Sequence, residues 1–419
     1  LVTVPFGKGN ARRHGYVIGI TDEPSYEPEK IKDILEVPQK GLPIEGKLIQ
    51  LAAWMRETYG TTMNQALQTV MPVKQTVRKT AQKIEETVLS DKNWEFVTLN
   101  DAQQALVDAF AEDYQNKVRK TYLLHGITGS GKTEVYIQCI KEVVRDGGQA
   151  IVLIPEISLT YQTLARFRKH FGTRVAFVNS KQSKGEKYEQ FRRAKEGEVD
   201  VVIGPRTALF TPFPNLKLIV IDEEHDAAFK SDQAPKYHAR DVAIKRAELE
   251  EASVILGSAT PSVESYAQAE TGRYVLWELN SRPDGVKAQQ IEVVDLRDEL
   301  RKGNRSIISR NLYAKIQDRL AKKEQMMLFI NRRGFNSFVS CRACGEAIKC
   351  PKCDVALTYH QQTMQAQRQL VCHYCGYSMA MPKQCPSCRS NMIAGFGTGT
   401  EKVEEEIIKL FPGIKTLRM

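Results

Sequence analysis

The stretch Gly126-Ile127-Thr128-Gly129-Ser130-Gly131-Lys132-Thr133 decides the fold. It fits the spacing G-x-x-x-x-G-K-[ST], follows the apolar run Tyr122–His125 and precedes the helical stretch Glu134-Val-Tyr-Ile-Gln-Cys-Ile140. That order of strand, loop and helix is what a phosphate-cradling loop needs. Its glycines let the backbone curl until N–H groups and the next helix N-terminus face an anion. Lys132 then supplies charge to the β/γ-phosphate oxygens of ATP, and Thr133 a hydroxyl for Mg2+. A chance glycine turn lacks these flanks.

Outward from this loop, from about Trp94 to Leu279, short apolar runs alternate with helical stretches, the pattern of βα units around a parallel sheet. Candidate strands are Tyr122–His125, Ile151–Ile154, Val201–Ile203, Leu216–Ile221 and Val254–Leu256. The fourth runs into Asp222-Glu223-Glu224-His225, which places carboxylates at the strand end facing the ligand crevice of an open sheet. Asp222 is expected in the Mg2+ shell, with Glu223 positioning or deprotonating the attacking water. His225 is either a relay between nucleotide and nucleic-acid sites or a hydrogen-bonded cleft histidine. After the fifth strand, Gly257-Ser-Ala-Thr-Pro261 puts small hydroxyl residues beside the same crevice.

Eight of the nine cysteines form four C-x-x-C pairs, Cys341/Cys344, Cys350/Cys353, Cys372/Cys375 and Cys385/Cys388. Clustered pairs beside a nucleotide-binding pattern indicate metal thiolates, and eight of them make two closed four-cysteine sites. With no open coordination position such metals are structural. Spacing leaves nested and sequential pairing both open, and iron–sulfur binding remains an alternative to two Zn2+. His360 and His373 lie within the cluster as surface groups, and Cys139 is expected to be a buried structural thiol.

The rest of the chain bounds the answer. Its 419 residues suggest two to four domains, at about 100–200 residues each. Sixty Lys and Arg against 50 Asp and Glu give a net charge of +10, which favours a polyanionic partner. No apolar run approaches the ~18–20 residues that span a bilayer, and the first residues lack a signal-peptide pattern, so a cytoplasmic protein without a membrane partner is expected. Alternation in Tyr16–Ile20 suggests a strand in a small β-domain. Leu48, Leu51, Ala52 and Met55 mark one helix face and Ala66 to Val70 another, fitting either a winged helix or a helical spacer. Beyond a turn-rich break at Ser281–Gly285, a strand is expected at Met327–Ile330.

Lys132, Asp222 to His225 and Ser258-Ala-Thr260 resemble motifs I, II and III of superfamily 2 helicases, in order and spacing. Ile154-Pro-Glu-Ile-Ser-Leu-Thr160, Gly204-Pro-Arg-Thr-Ala208, Tyr237-His-Ala-Arg-Asp241 and Asn331-Arg-Arg-Gly334 narrow the resemblance to the PriA family of 3′→5′ replication-restart helicases. Tyr161 and Asn179-Ser180 depart from the family's usual residues, which leaves details of the DNA path open. The resemblance implies that Gly204, Pro205 and Arg206 and the loop after Ile154 contact single-stranded DNA, although Arg206 also fits a surface ion pair. It gives Gln103, in Leu99-Asn-Asp-Ala-Gln103, a role in reading adenine. It nests the zinc ligands, Cys341, Cys344, Cys385 and Cys388 at one site and Cys350, Cys353, Cys372 and Cys375 at the other.

The fold class so implied is α/β, with RecA-like parallel-sheet helicase lobes, a partial β and winged-helix N-terminal region and a four-cysteine zinc-binding insertion. Expected segments are a partial 3′-end-binding β-domain at 1–40, a winged-helix-like domain at 41–92 and helicase lobe 1 at 93–281. The start of lobe 2 follows at 282–340, then the two-zinc insertion at 341–390 and a truncated continuation of lobe 2 at 391–419. The implied activity is ATP-dependent unwinding at stalled or abandoned forks, with single-stranded and forked DNA, primosome proteins and the replicative helicase loading machinery as partners. A non-unwinding zinc and fork-binding module, or a superfamily 2 translocase, are the alternatives. Both ends of the family's chain are expected to be missing, motifs V and VI included, so that this segment binds DNA without unwinding it.

Overall fold

In the computed structural model the residues described are 2–17, 19–24, 27–37, 46–71, 98–156, 161–180, 182–281, 290–304, 306–330, 338–341, 343–360, 369–396 and 400–417. Two units, Leu1–Lys287 and Ala288–Met419, are taken in turn.

The first unit opens with a hairpin of β1 (Val2–Phe6) and β2 (Ala11–Gly15), antiparallel and in register from Val2↔Gly15 to Phe6↔Ala11. The strand expected at Tyr16–Ile20 is not there: β2 ends at Gly15 and the described residues beyond it are irregular. Among the described residues, Tyr16, Val17, Gly19 and Ile20 join no ladder.

Helices α1 (Gly46–Tyr59) and α2 (Met63–Val70) follow, α2 opened by a capping box between Thr62 and Gln65. Leu48, Leu51, Ala52 and Met55 are buried on α1, as are Ala66 and Val70 on α2. These faces belong to the same apolar cluster as the sheet below.

That sheet is built from α3 (Asp101–Gln115), β3 (Thr121–Gly126), α4 (Lys132–Arg145), β4 (Gln149–Leu153), α5 (Tyr161–Phe171), β5 (Val175–Phe177) and α6 (Lys184–Lys195). It continues through β6 (Val201–Gly204), β7 (Leu216–Asp222), α7 (Ala239–Glu250), β8 (Ser253–Ser258), α8 (Val263–Glu270) and β9 (Val275–Leu279). Strand order is β5-β6-β4-β7-β8-β3-β9, and every pair is parallel. Alternate residues enter opposite cores. Ile151, Leu153, Ile219, Ile221, Val254 and Leu256 pack under α1, α2, α6 and α7, whereas Ala150, Val152, Leu218, Val220 and Ile255 meet α3, α4 and α5. Burial on both faces explains why these strands read as continuous apolar runs. All five expected strands are present. Two edge strands, β5 and β9, went unread.

In the second unit α9 (Leu296–Arg301), α10 (Arg310–Ala321) and a five-stranded antiparallel sheet are joined by a last helix, α11. The strands are β10 (Phe338–Cys341), β11 (Thr358–His360), β12 (Gln369–Val371), β13 (Ser378–Ala380) and β14 (Ile393–Phe396), in the order β13-β12-β11-β10-β14. Helix α11 (Thr400–Leu410) packs on α10 through Ile316, Ile407 and Phe411, with Tyr313 stacked on Phe411 at 4.7 Å. The strand expected at Met327–Ile330 is absent. Met327 and Phe329 are 80% and 85% exposed, and among the described residues no strand pairs with this run, so its apolar character finds no ladder. The motif at 331–334 lies outside the described residues.

Candidate nucleotide site and zinc centres

Strand β3 delivers the chain into the loop at Gly126, and Gly129 and Gly131 take φ of +82° and +83°. Side chains with a Cβ rarely adopt that conformation, so these two glycines shape the loop. Gly131 is the N-cap of α4, whose first residues are Lys132 and Thr133. The Lys132 Nζ donates to the carbonyl of Gly126 at 2.7 Å. Burial holds its ammonium below the usual lysine range, opposed by the nearby Glu223 and Asp222 carboxylates. Ser130 Oγ is buried without a hydrogen-bond partner among the described residues. An orphaned hydroxyl, a curled backbone and a buried cation suit a phosphate, so the loop residues Gly126, Ile127, Thr128, Gly129, Ser130, Gly131, Lys132 and Thr133 fit the group that the sequence implies.

Gln103 has a place that its sequence position did not reveal. Its amide oxygen accepts from Asn100 N at 3.0 Å, closing the capping box of α3, and its Nε2 donates to Ser130 O at 2.8 Å. The side chain thus ties the start of α3 to the phosphate loop.

Across the crevice Asp222 ends β7, paired in register with Gly257 of β8. Burial and the adjoining Glu223 push its carboxyl up to about 6, while Tyr136 and Lys132 pull the other way. The Tyr136 hydroxyl donates to Asp222 Oδ1 at 3.2 Å. Glu223 sits at φ +52°, an uncommon conformation for a residue with a Cβ, and turns the chain sharply after the strand. The turn leaves Glu223 about one-third exposed (36%) and sends Glu224 to complete burial.

Glu224 is a structural anchor. It accepts from Ser262 N at 2.7 Å and Ser265 Oγ at 2.8 Å, both at the start of α8, and lies 3.5 Å from Arg240 Nη1. Arg240 in turn donates to Ser262 Oγ and Ser265 Oγ at 2.9 and 3.0 Å. His225 Nδ1 is 2.7 Å from Ser258 Oγ and its Nε2 3.5 Å from Thr260 Oγ1, so this histidine, three residues past β7, meets both hydroxyls at the end of β8.

Gly204, at the end of β6, lies so close to its neighbour that a Cβ would fall 2.6 Å from the Val178 carbonyl. After Pro205, Arg206 donates to the carbonyls of Ala228, at 3.0 Å, and Lys230, with its guanidinium 5.4 Å from the centre of the Tyr237 ring. Among the described residues, carbonyls and a ring hold it and no carboxylate pairs with it. Residues 157–160, within the expected DNA loop after Ile154, lie outside the described residues.

In the second unit the thiols fall into two groups, Cys341, Cys344, Cys385 and Cys388, and Cys350, Cys353, Cys372 and Cys375. Pairing is nested. Within a group the sulfurs lie within 4.8 Å of one another, with Cys341–Cys388 at 3.5 Å, Cys344–Cys385 at 3.7 Å and Cys350–Cys375 at 3.6 Å. A tetrahedron of bonds of about 2.3 Å sets sulfurs about 3.8 Å apart, so each donor set fits Zn2+. No histidine joins either group among the described residues. All four turns share one backbone design: the first cysteine's carbonyl accepts from the residue four ahead, Gly345, Asp354, Gly376 or Arg389, each at positive φ. Cys139 is fully buried, as expected.

A parallel-sheet lobe with a phosphate loop and an acidic strand end, in a chain that also carries a ribbon with two four-cysteine groups, defines a helicase-type α/β fold. The family models agree segment by segment: "3'DNA-binding domain (3'BD)" over residues 1–72, "Type III restriction enzyme, res subunit" over 96–263 and "PriA DNA helicase Cys-rich region (CRR) domain" over 350–379. The chain belongs to the PriA family. It is similar to the replication restart protein PriA of Bacillus subtilis (strain 168), 48% identical over 78% of this chain and 40% of that protein. The PriA of Synechocystis sp. is 49% identical over 71% of this chain and 36% of the relative. That of Rickettsia felis is 35% identical over 98% of this chain and 61% of the relative. The chain thus spans well under two thirds of the length of the curated relatives it matches first. No helix among the described residues is long and apolar enough to cross a membrane.

Proposed function

We propose that this chain carries the ATP site of a 3′→5′ DNA helicase that recognises stalled or abandoned replication forks and starts primosome assembly in the cytoplasm. The observation that carries the proposal is that α4, which begins at Lys132, meets Asp222 at the end of β7 through the 3.2 Å Tyr136–Asp222 hydrogen bond, which sets the phosphate loop's cation and the acidic strand end at one crevice. When bound, Mg2+ and ATP supply the phosphoanhydride and its charge-neutralising cation. Lys132 and the loop N–H groups would bind the phosphates, Thr133 and Asp222 would hold the cation, and Glu223 would position or deprotonate the attacking water. Two Zn2+ fix the ribbon.

Gly204, Pro205 and Arg206, at the end of β6 two strands from β7, are proposed to meet single-stranded DNA, with His225 relaying nucleotide state through Ser258 and Thr260. The 3′-end-binding segment at 1–40, the winged-helix-like segment at 41–92 and the ribbon would meet forked DNA, primosome proteins and the helicase-loading machinery. The segments at 282–340 and 391–419 are read as parts of a second lobe. The test is DNA-stimulated ATP hydrolysis and fork unwinding by the whole protein that carries this sequence. Both should vanish in Lys132→Ala; fork binding without any ATP turnover in the wild type would favour a binding module instead.

A further inference from the structure

The hydroxyl of Tyr136 occupies a site that two other residues define. Tyr136 lies four residues after Lys132 on α4, the helix that carries the phosphate loop's cation, and is 1% exposed. Its Oη donates to Asp222 Oδ1 at 3.2 Å. Its other neighbour is Gly257, the residue paired with Asp222 across β7 and β8. A Cβ on Gly257 would lie 1.5 Å from the Tyr136 Oη and 2.6 Å from its Cζ, a far closer approach than real Cβ atoms show. The ring therefore crosses from the phosphate-loop helix to the two central strand ends, with its hydroxyl bonded to one residue of a register pair and pressed over the Cα of the other.

We propose that Tyr136 is a positioning residue for Asp222, fixing the carboxylate in the orientation that holds a divalent cation, and that the glycine at 257 is required because the tyrosine hydroxyl fills the space of its side chain. This rests on the nucleotide site proposed above. A buried phenol needs some acceptor, and any nearby carbonyl would satisfy it. Here the acceptor is the one carboxylate that the site uses for its metal. The arrangement also joins three sequence motifs: the loop helix, the acidic strand end and the glycine before Ser258 share one contact, so a shift of α4 on binding phosphate reaches the metal ligand directly.

The experiment compares ADP binding by the 419-residue chain in Mn2+ and in EDTA, together with the electron paramagnetic resonance spectrum of the bound Mn2+. Tyr136→Phe keeps the ring and removes only the hydroxyl. It should weaken Mn2+-dependent ADP binding by about ten-fold, the scale of one hydrogen bond to an ionised group, and alter the Mn2+ spectrum, while ADP binding in EDTA stays at the wild-type level. Gly257→Ala, which displaces the same hydroxyl from the other side, should reproduce the selective loss. Equal weakening with and without metal, or none in either condition, would overturn the proposal while leaving the nucleotide site standing. A wild-type chain whose ADP binding gains nothing from Mn2+ would overturn both together.

Discussion

His225 and Ser258 are joined by a 2.7 Å hydrogen bond between Nδ1 and Oγ, across the ends of two adjacent parallel strands. Ser258 Oγ also accepts from Thr260 N at 2.9 Å. One side of the crevice is thereby fastened to the other through a group that can exchange partners. His225→Ala should spare nucleotide binding but reduce the DNA stimulation of ATP hydrolysis by about ten-fold, the loss of one firm hydrogen bond. Stopped-flow nucleotide binding beside steady-state ATPase rates separates the two. Unchanged stimulation would reduce the histidine to a packing role.

Glu224 carries a different kind of prediction, because it is buried and touches stability first. Glu224→Ala deprives the start of α8 of its acceptor and takes from Arg240 its buried carboxylate. The cost should be about 3–5 kcal/mol, as for other broken buried ion pairs. Chemical denaturation reads it directly. A change under ~1 kcal/mol would mean that the serines at 262 and 265 satisfy one another without the carboxylate.

Leu51 tests whether α1 is part of the motor lobe. It is completely buried in the cluster that includes Leu123, Ile219 and Val254 of the sheet. Leu51→Ala should therefore destabilise the sheet itself by about 2–5 kcal/mol, followed by the quenching of Trp277 on β9. If α1 melts alone while the Trp277 signal holds, the helix is a separate module.

Much of this was legible because chemistry and periodicity both speak locally. The phosphate loop lies within eight residues, each C-x-x-C pair within four, and the five central strands announce themselves as unbroken apolar runs. What stayed hidden depends on tertiary placement. Tyr136 sits among Val135, Ile137 and Ile140 and reads as core; only the arrival of Asp222 gives its hydroxyl a meaning. Glu224 and Arg240 are separated by a loop and meet only after α7 folds back. The edge strand β5 has three residues, too few to show alternation, whereas Met327–Ile330 has the composition of a strand without a partner to pair with.

The zinc centres predict a stoichiometry. Metal analysis of the purified chain should return two zinc ions, and Cys341→Ser should return one. Because ligation supplies folding free energy to small modules, that variant should disorder the ribbon while nucleotide binding by the first unit persists. One zinc in the unaltered chain, or an iron–sulfur absorption band, would contradict the assignment of two four-cysteine sites.

Lys132, facing Asp222 and Glu223, is proposed to hold ATP for hydrolysis. The most direct measurement is ATP binding and hydrolysis by the whole protein in the presence of Mg2+ and single-stranded DNA, with Lys132→Ala and Asp222→Asn beside the wild type. Lys132→Ala should abolish productive binding, whereas Asp222→Asn should retain part of the binding but block turnover. Wild-type rates in both variants would contradict it.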